Sequence, residues 1–194
     1  MGIRPPILAL IVATGGTCVL ALEMLGTRLL APRFGLTFEL WAAMLSATLL
    51  ALSLGYRIGA GVSRSLAPGG FLTKLLALSA LWCLALPWLK IPVLAATGGW
   101  DARLGALLAA FTLFAPPLAA LGAISPIAVQ LAATRWESAG RAAGGVLAMS
   151  TLGSVAGALL TGFVLIPVLG VRALTLLLAA LLGLVWAAAL LGRR

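Results

Sequence analysis

Six long runs of apolar residues, separated by short polar or Pro- and Gly-rich stretches, constrain this chain more than any other feature. A helix needs about 20 mostly apolar residues to cross the hydrocarbon core of a bilayer. The runs are continuous rather than alternating, so they predict helices and not the strands of a barrel. The predicted membrane-spanning helices cover residues 7–30, 39–59, 71–89, 104–133, 142–166 and 172–191.

The composition agrees with this prediction. Apolar residues make up 63% of the chain and charged residues 9%, whereas soluble domains are roughly 45–50% apolar and about a quarter charged. No polar connection is long enough to form a soluble domain, so residues 1–194 are expected to be one transmembrane domain. The first apolar run continues to Leu30, which is too long for a cleaved signal peptide, and we expect it to be retained as a helix.

Several kinds of site are excluded by the residues that are rare or missing. The sequence contains no histidine and only four acidic residues: Glu23, Glu39, Asp101 and Glu137. Ser-His-Asp and Cys-His catalysis need an imidazole base, and two cysteines cannot supply a zinc site of four ligands. Cys18 and Cys83 lie in apolar runs, as buried small side chains do. We therefore expect no catalytic residues, no metal and no cofactor.

The basic residues indicate how the chain is oriented. The net charge is +9, but the Lys and Arg residues are spread singly beside apolar segments and form no nucleic-acid-binding patch. With six crossings, both termini share one side with the second-to-third and fourth-to-fifth connections. That side carries eight of the 13 Lys and Arg residues. Because Lys and Arg concentrate in the cytoplasmic connections of membrane proteins, we predict that both termini are cytoplasmic. We also predict that the protein lies in the cell (inner) membrane.

Two charged groups interrupt the first predicted helix and are candidate substrate-binding residues. Glu23 lies a turn or so inside the outer boundary, and Arg28 follows about 140° further around the helix. The two side chains therefore do not pair along one face, and Arg28 reaches the interface. An acid within a span usually faces the bundle interior or a water-filled cavity. Glu23 is either a structural acid or a group that attracts a cation or exchanges a proton.

The fourth predicted helix contains three prolines, Pro116, Pro117 and Pro126, each of which removes a backbone donor inside the span. Broken helices at membrane depth often form the substrate sites of transporters. Ser125 and Gln130 add polar groups to the same segment and are candidate substrate-binding residues. The prolines indicate either a structural kink or a binding site.

The fifth predicted helix carries a face of small residues at spacings of three and four. Gly153 and Gly157 form a GxxxG pair, which Thr161 extends, and small residues let another backbone approach closely. We expect these three residues to pack against a neighbouring helix. The hydroxyl groups of the same helix have three alternative roles: they take part in that packing, they lie in a dimer interface, or they line a substrate path. The candidate substrate-binding hydroxyls are Ser150, Thr151 and Ser154.

Four stretches, taken in order, match a known type of membrane domain: LEMLGTRLLAPRFG, LWAAMLSATLLALSLGYRIGAGVSR, PPLAALGAISPIAVQLA and AGGVLAMSTLGSVAGALLTGFVLIPVLGVR. The match rests on Glu23 and Arg28 in the first stretch, on the Ser125-Pro126 pair, and on the STLGS run. These features resemble the membrane domain of the transmembrane spermidine synthase-like proteins, a fused major-facilitator-like and synthase family.

The resemblance implies a fold and limits the activity. In that family a cytoplasmic Rossmann-like aminopropyltransferase domain follows the membrane helices, and its residues are not among these 194. The resemblance therefore implies no aminopropyl transfer by this sequence. Six helices correspond to half of a major-facilitator body, so the fold class predicted is a half-major-facilitator-like bundle that pairs as a homodimer.

Two functions are compatible with these features. The first is a transporter or solute-binding membrane protein for a small cationic, polyamine-like solute, with Glu23 attracting the cation. The alternative is a non-catalytic membrane subunit that recruits a soluble spermidine synthase-like or methyltransferase-like enzyme. Its docking surface would be the basic connections that contain Arg64, Arg135 and Arg141. The expected partners are the lipid bilayer, a second copy of the chain and, for the alternative, that enzyme; nucleic acid is not expected.

Overall fold

Six long helices make up the computed structural model, which describes residues 3–62, 68–133 and 139–192. All six are long and apolar enough to cross a bilayer, which confirms the prediction of an all-α membrane protein with six spans. The helices are α1 (Pro5–Phe34), α2 (Phe38–Val62), α3 (Pro68–Thr97), α4 (Ala102–Ala132), α5 (Ala139–Val168) and α6 (Val171–Leu191).

The third helix is longer than the sequence predicted. It continues to Thr97, and Lys90 and Pro92, which we expected in a polar connection, lie inside it. Pro87 and Pro92 each remove one backbone N–H, and the chain is helical through both of them. The Thr97 hydroxyl donates to the carbonyl oxygen of Val93 at 2.8 Å within the last turn. The connection to α4 is therefore reduced to residues 98–101.

The fifth helix contains a turn that the sequence did not predict. Residues Ala139–Leu160 are α-helical, Thr161–Leu165 form a π-helical turn and Ile166–Val168 are α-helical again. The N–H of Ile166 bonds to the carbonyl of Thr161, five residues earlier. The wider turn ends two residues before Pro167, which has no N–H for a regular helical bond.

The fourth helix runs through all three of its prolines and is compensated by a neighbour. Pro117 has no N–H to donate to the carbonyl oxygen of Leu113, four residues earlier. The indole Nε1–H of Trp82 on α3 donates to that oxygen instead, at 2.8 Å. The hydrogen bond lost inside α4 is thus replaced by one between α3 and α4.

This replacement predicts an energetic coupling between Trp82 and Pro117. Trp82→Phe should lower the free energy of unfolding by about 1 kcal/mol more with Pro117 present than in a Pro117→Ala background, where the alanine N–H satisfies Leu113. A double-mutant cycle by unfolding in mixed detergent micelles measures the difference. Strictly additive effects of the two substitutions would contradict this role for Trp82.

The helices pack in a pattern that repeats within the chain. Each contact in one half of the chain has a counterpart in the other half. The α2–α4 contact corresponds to α5–α1, the α3–α4 contact to α6–α1, and the α1–α2 contact to α4–α5. The remaining principal contacts join α1 to α4 and α3 to α6. Exchanging α1 with α4, α2 with α5 and α3 with α6 leaves this set of principal pairs unchanged. The bundle therefore consists of two three-helix units with the same packing.

The two units run in opposite directions across the membrane. Three crossings separate the start of α1 from the start of α4, so the second unit is inverted relative to the first. Such inverted repeats are related by a pseudo-twofold axis that lies in the membrane plane, and in transporters the substrate site is near the interface of the repeats. The axis passes through the contact of α1 with α4, which are also the two most buried helices.

Glycine contacts show that the repeat extends to individual residues. A Cβ at Gly55 of α2 would overlap the carbonyl oxygen of Ala119 on α4. A Cβ at Gly153 of α5 would overlap the carbonyl oxygen of Ala13 on α1 in the same way. The next glycine of each GxxxG pair repeats the arrangement one turn later. Each pair thus allows close contact between two helix backbones.

A second set of contacts has the same register. Gly16 of α1 lies against the backbone of Ser150 on α5, and Gly122 of α4 lies against the backbone of Leu52 on α2. Gly16 and Gly122 therefore occupy equivalent positions in the two units, as do Ser150 and Leu52. This register identifies which residues surround the pseudo-twofold axis.

Candidate functional site

A cavity of about 200 Å³ lies where α1, α2, α4 and α5 meet. Its lining includes both Gly16 and Gly122, the equivalent glycines of the two units. It also includes Leu52 and Ser150, which are equivalent to each other. The cavity therefore lies on the pseudo-twofold axis, at the interface of the two repeats. In transporters that are built from inverted repeats, substrates bind near such an interface.

Five hydroxyl groups give the cavity its polar character. They belong to one residue of α2, one of α4 and three of α5, and no residue that lines the cavity is charged. Hydroxyls donate one hydrogen bond and accept others, so the site can bind a polar ligand in more than one orientation. The hydroxyl-bearing residues are Tyr56, Ser125, Ser150, Thr151 and Ser154.

Hydrogen bonds to backbone carbonyls fix α5 against α1 beside the cavity. Ser154 Oγ donates to the carbonyl oxygen of Gly16 at 3.1 Å. Thr17 Oγ1 is 2.9 Å from the carbonyl oxygen of Gly153 and 3.0 Å from that of Ala13. Both bonds depend on the close approach that Gly16 and Gly153 allow. The small-residue face of α5 therefore positions Ser154 as well as packing the helix.

Beside the cavity, α4 contains a carbonyl that lacks its usual helical donor. Pro126 has no N–H to donate to the carbonyl oxygen of Gly122, four residues earlier in α4. Gly122 itself lines the cavity. A carbonyl released from the helical pattern at membrane depth needs another donor. A ligand that carries N–H groups can supply it.

A larger cavity lies next to the first one, towards the end of the bundle where α1 begins. It has a volume of about 380 Å³ and is lined by Ile3, which precedes α1, and by parts of α1, α4 and α5 that include Leu131 and Gly145. Val12 lines both cavities. The second cavity is therefore adjacent to the hydroxyl-lined site, and Val12 separates the two.

The structure brings together four of the seven substrate-binding candidates. Ser125, Ser150, Thr151 and Ser154 all line the cavity on the pseudo-twofold axis, although they lie on two different helices. The other three candidates, Glu23, Arg28 and Gln130, lie outside its lining.

Glu23 lies on the cavity-facing stripe of α1, beyond the cavity itself. Gly16 and Leu20 line the cavity, and Glu23 follows Leu20 by three residues, about 4.5 Å further along the helix axis. The Glu23 side chain is half-buried. The salt bridge found among the described residues joins Arg103 and Glu39 and does not involve Glu23. Glu23 is therefore an acid one turn away from a neutral polar site.

Arg28 and Gln130 lie elsewhere. Arg28 is exposed and, with Ile166 and Val171, lines a different cavity beside the turn between α5 and α6. Gln130 is exposed near the end of α4. Neither residue shares a cavity with the hydroxyl groups.

The three helix-packing candidates are buried in α5. Gly153 and Gly157 lie against the backbones of Ala13 and Thr17 on α1. Thr161 is buried and begins the π-helical turn.

Tyr56 is a cavity residue that the sequence patterns did not single out. It is the single tyrosine of the chain and follows Gly55 directly. Tyr56 is the repeat equivalent of Ser154, because Gly55 and Gly153 are equivalent. A signal was present: Gly55 and Gly59 form a GxxxG pair like that of α5, so the residues beside them also approach a second helix.

The docking surface of the alternative function is only partly described. Arg64 and Arg135 lie outside the described residues, and Arg141 is exposed near the start of α5. Within the described ranges, no three His, Cys, Asp or Glu side chains come together as a metal site. Cys18 and Cys83 are both buried and free.

Comparisons with protein-family models, with curated proteins and with solved structures found no match to this chain. A function for the chain therefore has to be inferred from the geometry of the cavity and from the residues around it.

Proposed function

We propose that this membrane protein binds and transports a small cation of the polyamine class. The single observation that carries the proposal is the hydroxyl-lined cavity on the pseudo-twofold axis, with Glu23 one turn beyond it on the same face of α1. A neutral polar site at membrane depth with an adjacent acid is suited to a ligand that is both polar and positively charged.

The chemistry of the lining favours ammonium groups over anions. Hydroxyl oxygens and the released carbonyl of Gly122 accept hydrogen bonds from N–H donors. No basic side chain lines the cavity, so an anionic ligand would find no charge partner there. The carboxylate of Glu23 provides the compensating negative charge for a cation.

The length of the site fits a ligand with separated ammonium groups. Gly16 and Glu23 are seven residues apart on α1, which corresponds to about 10 Å along the helix. One ammonium group can bind the hydroxyls while a second lies near Glu23. The resemblance to the membrane domain of spermidine synthase-like proteins suggests the same class of solute.

The second cavity provides a route to the site. It lies at the end of the bundle where α1 begins, and its lining shares Val12 with that of the first cavity. The distribution of Lys and Arg supports a cytoplasmic position for that end and for both termini, in the cell (inner) membrane. Two copies of the chain together give the twelve helices of a complete transporter body.

Binding of radiolabelled spermidine to the purified protein tests this proposal. Glu23→Gln should weaken binding about tenfold to thirtyfold, because a unit charge about 8 Å from an ammonium group contributes about 2 kcal/mol at an effective dielectric of about 20. The matched control is Glu39→Gln, since Glu39 is an exposed acid that pairs with Arg103 at 3.9 Å outside the cavity.

Each outcome of this experiment is informative. Selective weakening by Glu23→Gln supports a cation-binding acid. Equal affinities of the two variants would make Glu23 a structural acid and contradict its proposed role. If spermidine does not bind the unmodified protein, the alternative of a membrane subunit that recruits a soluble enzyme is favoured instead.

A further inference from the structure

The larger cavity, at the end of the bundle where α1 begins, has a repeat-equivalent region at the opposite end. Exchanging the two units carries α1 onto α4, α4 onto α1 and α5 onto α2. The region equivalent to the cavity therefore lies where α1 ends and where α2 and α4 begin. In the register that the glycine contacts define, the cavity residues Leu8 and Ala142 correspond to Phe114 of α4 and Met44 of α2.

The two equivalent regions differ in how tightly they are packed. Of the residues that line the larger cavity, only Leu8, Val12 and Val146 are buried. Their equivalents at the opposite end are all buried except Phe111, which is partly buried. The bundle thus has an open cavity at the end that holds the termini, and the equivalent region at the other end is closed. We call this second region the closed end.

Two large side chains fill the closed end. A Cβ at Gly26 of α1 would overlap the side chain of Met44 and would lie 3.1 Å from Cζ of Phe114. Met44 and Phe114 are both fully buried. The equivalent positions in the larger cavity hold the smaller side chains of Ala142 and Leu8. Met44 and Phe114, packed against Gly26, therefore form a plug in the closed end.

A hydroxyl group without a partner is enclosed beside the plug. Thr48 follows Met44 by one turn of α2, and its side chain is 2% exposed. Among the described residues, its Oγ1 is the buried side-chain oxygen that has no hydrogen-bond partner. Other threonines in these helices donate to a carbonyl three or four residues earlier, as Thr27 and Thr175 do. An unpaired buried hydroxyl is costly, so it indicates a second state in which Thr48 meets water or a solute.

Acidic side chains lie on both sides of the plug. Glu39 and Asp101 line a cavity of about 220 Å³ where α2 and α4 begin, and Arg103, which pairs with Glu39 at 3.9 Å, lines it too. On α1, Glu23 lies one turn before Gly26 and one turn beyond the hydroxyl-lined cavity. A path through the plug therefore has acids at its mouth and at its inner end. Such a distribution of charge attracts a cation.

We propose that the closed end is a second route for the same small cation, and that it opens when the plug moves away from Gly26. Inverted repeats permit this change, because each unit can adopt the packing of the other, and the larger cavity closes in the same step. The route leads from the acidic mouth past Thr48 to Glu23 and the hydroxyl-lined cavity. This inference rests on the proposed function, since a transported solute must reach its site from both sides of the membrane.

Labelling of an introduced cysteine from one side of the membrane tests the second route. Thr48→Cys places a thiol in the closed end, and a small cationic methanethiosulfonate that cannot cross the bilayer is added to sealed vesicles on the side opposite the termini. The control is Leu86→Cys, because Leu86 is 0% exposed and lies, like Thr48, about 15 Å from that end of its helix. The native cysteines are buried, so the parent chain provides the blank.

We expect Thr48→Cys to react at least tenfold faster than Leu86→Cys from the side opposite the termini. Equal rates would indicate general loosening of the bundle. Reaction of Thr48→Cys only from the side of the termini, or none from either side, would mean that the closed end does not open. Each of these three results overturns the inference.

A second set of substitutions tests the plug itself. Met44→Ala together with Phe114→Leu gives the closed end the side chains found at the equivalent open positions. We expect this change to raise the reaction rate of Thr48→Cys at least tenfold further and to leave that of Leu86→Cys unchanged. An unchanged rate at Thr48→Cys would overturn the role of the plug. Labelling requires no solute and spermidine binding is measured separately, so a failure of the second route is distinguishable from a failure of the proposed function.

Discussion

Replacing Gly153 with leucine is expected to lower the free energy of unfolding by about 2–4 kcal/mol, or to leave no folded protein. A side chain at this position overlaps the carbonyl oxygen of Ala13 on α1. The helices must then separate, and the bonds from Thr17 to Gly153 and from Ser154 to Gly16 are lost with the contact. Unfolding in mixed detergent micelles measures the change.

The same helix and its repeat equivalent provide controls. Gly144→Ala should change the free energy of unfolding by no more than about 1 kcal/mol, in the stabilising direction. Among the described residues, no atom beyond the surrounding backbone of α5 lies within 4 Å of the added Cβ. Gly55→Leu should be as damaging as Gly153→Leu, since Gly55 meets Ala119 in the equivalent way. A well-folded Gly153→Leu protein would contradict the close α1–α5 contact.

Filling the cavity should abolish solute uptake without unfolding the protein. Ser150 is half-buried and lines the cavity on the pseudo-twofold axis. A phenyl ring at this position occupies much of a site of about 200 Å³. We expect Ser150→Phe to reduce spermidine uptake into proteoliposomes by at least 100-fold, because a ligand that cannot enter loses all of its binding interactions.

The control for this substitution lies on the same helix. Leu152 is 67% exposed and does not line the cavity, so Leu152→Phe should leave uptake near that of the unmodified protein. Both variants should elute as folded protein in size-exclusion chromatography. Normal uptake by a folded Ser150→Phe protein would mean that the solute takes another route.

Much of the fold was predictable because membrane insertion depends on apolar length. Each of the six runs was long enough to span a bilayer, and each forms a helix. The features of the fold that were not predicted depend on contacts between each apolar run and its surroundings. The continuation of α3 past Pro92 and the π-helical turn before Pro167 show that a proline alters one bond without ending a helix held by the bilayer and its neighbours.

The candidate site was predictable in part. Polar groups inside apolar helices are costly, so Ser125, Ser150 and Ser154 were recognised as candidates, and the structure places them in one cavity. Tyr56 was missed because its position depends on the register of α2 against α4, which Gly55 fixes through a contact between different helices. The positions of Arg28 and Gln130 away from the cavity depend on rotations of their helices that the sequence does not define.

The internal repeat was hidden for a related reason. The two units share their packing and few of their residues, so equivalent positions hold different side chains. Leu52 corresponds to Ser150, and Tyr56 corresponds to Ser154. The GxxxG pairs of α2 and α5, together with Gly16 and Gly122, are the visible remnants of the repeat, since glycine permits the close backbone contacts that both units require.

The cavity between α1, α2, α4 and α5 is, in our proposal, a site for a transported cation. The most direct measurement is the uptake of radiolabelled spermidine into proteoliposomes that contain the unmodified protein, beside empty liposomes of the same lipid. We expect saturable uptake that excess unlabelled spermidine suppresses. Uptake equal to that of empty liposomes under an imposed membrane potential or pH gradient of either direction would contradict the proposed transport.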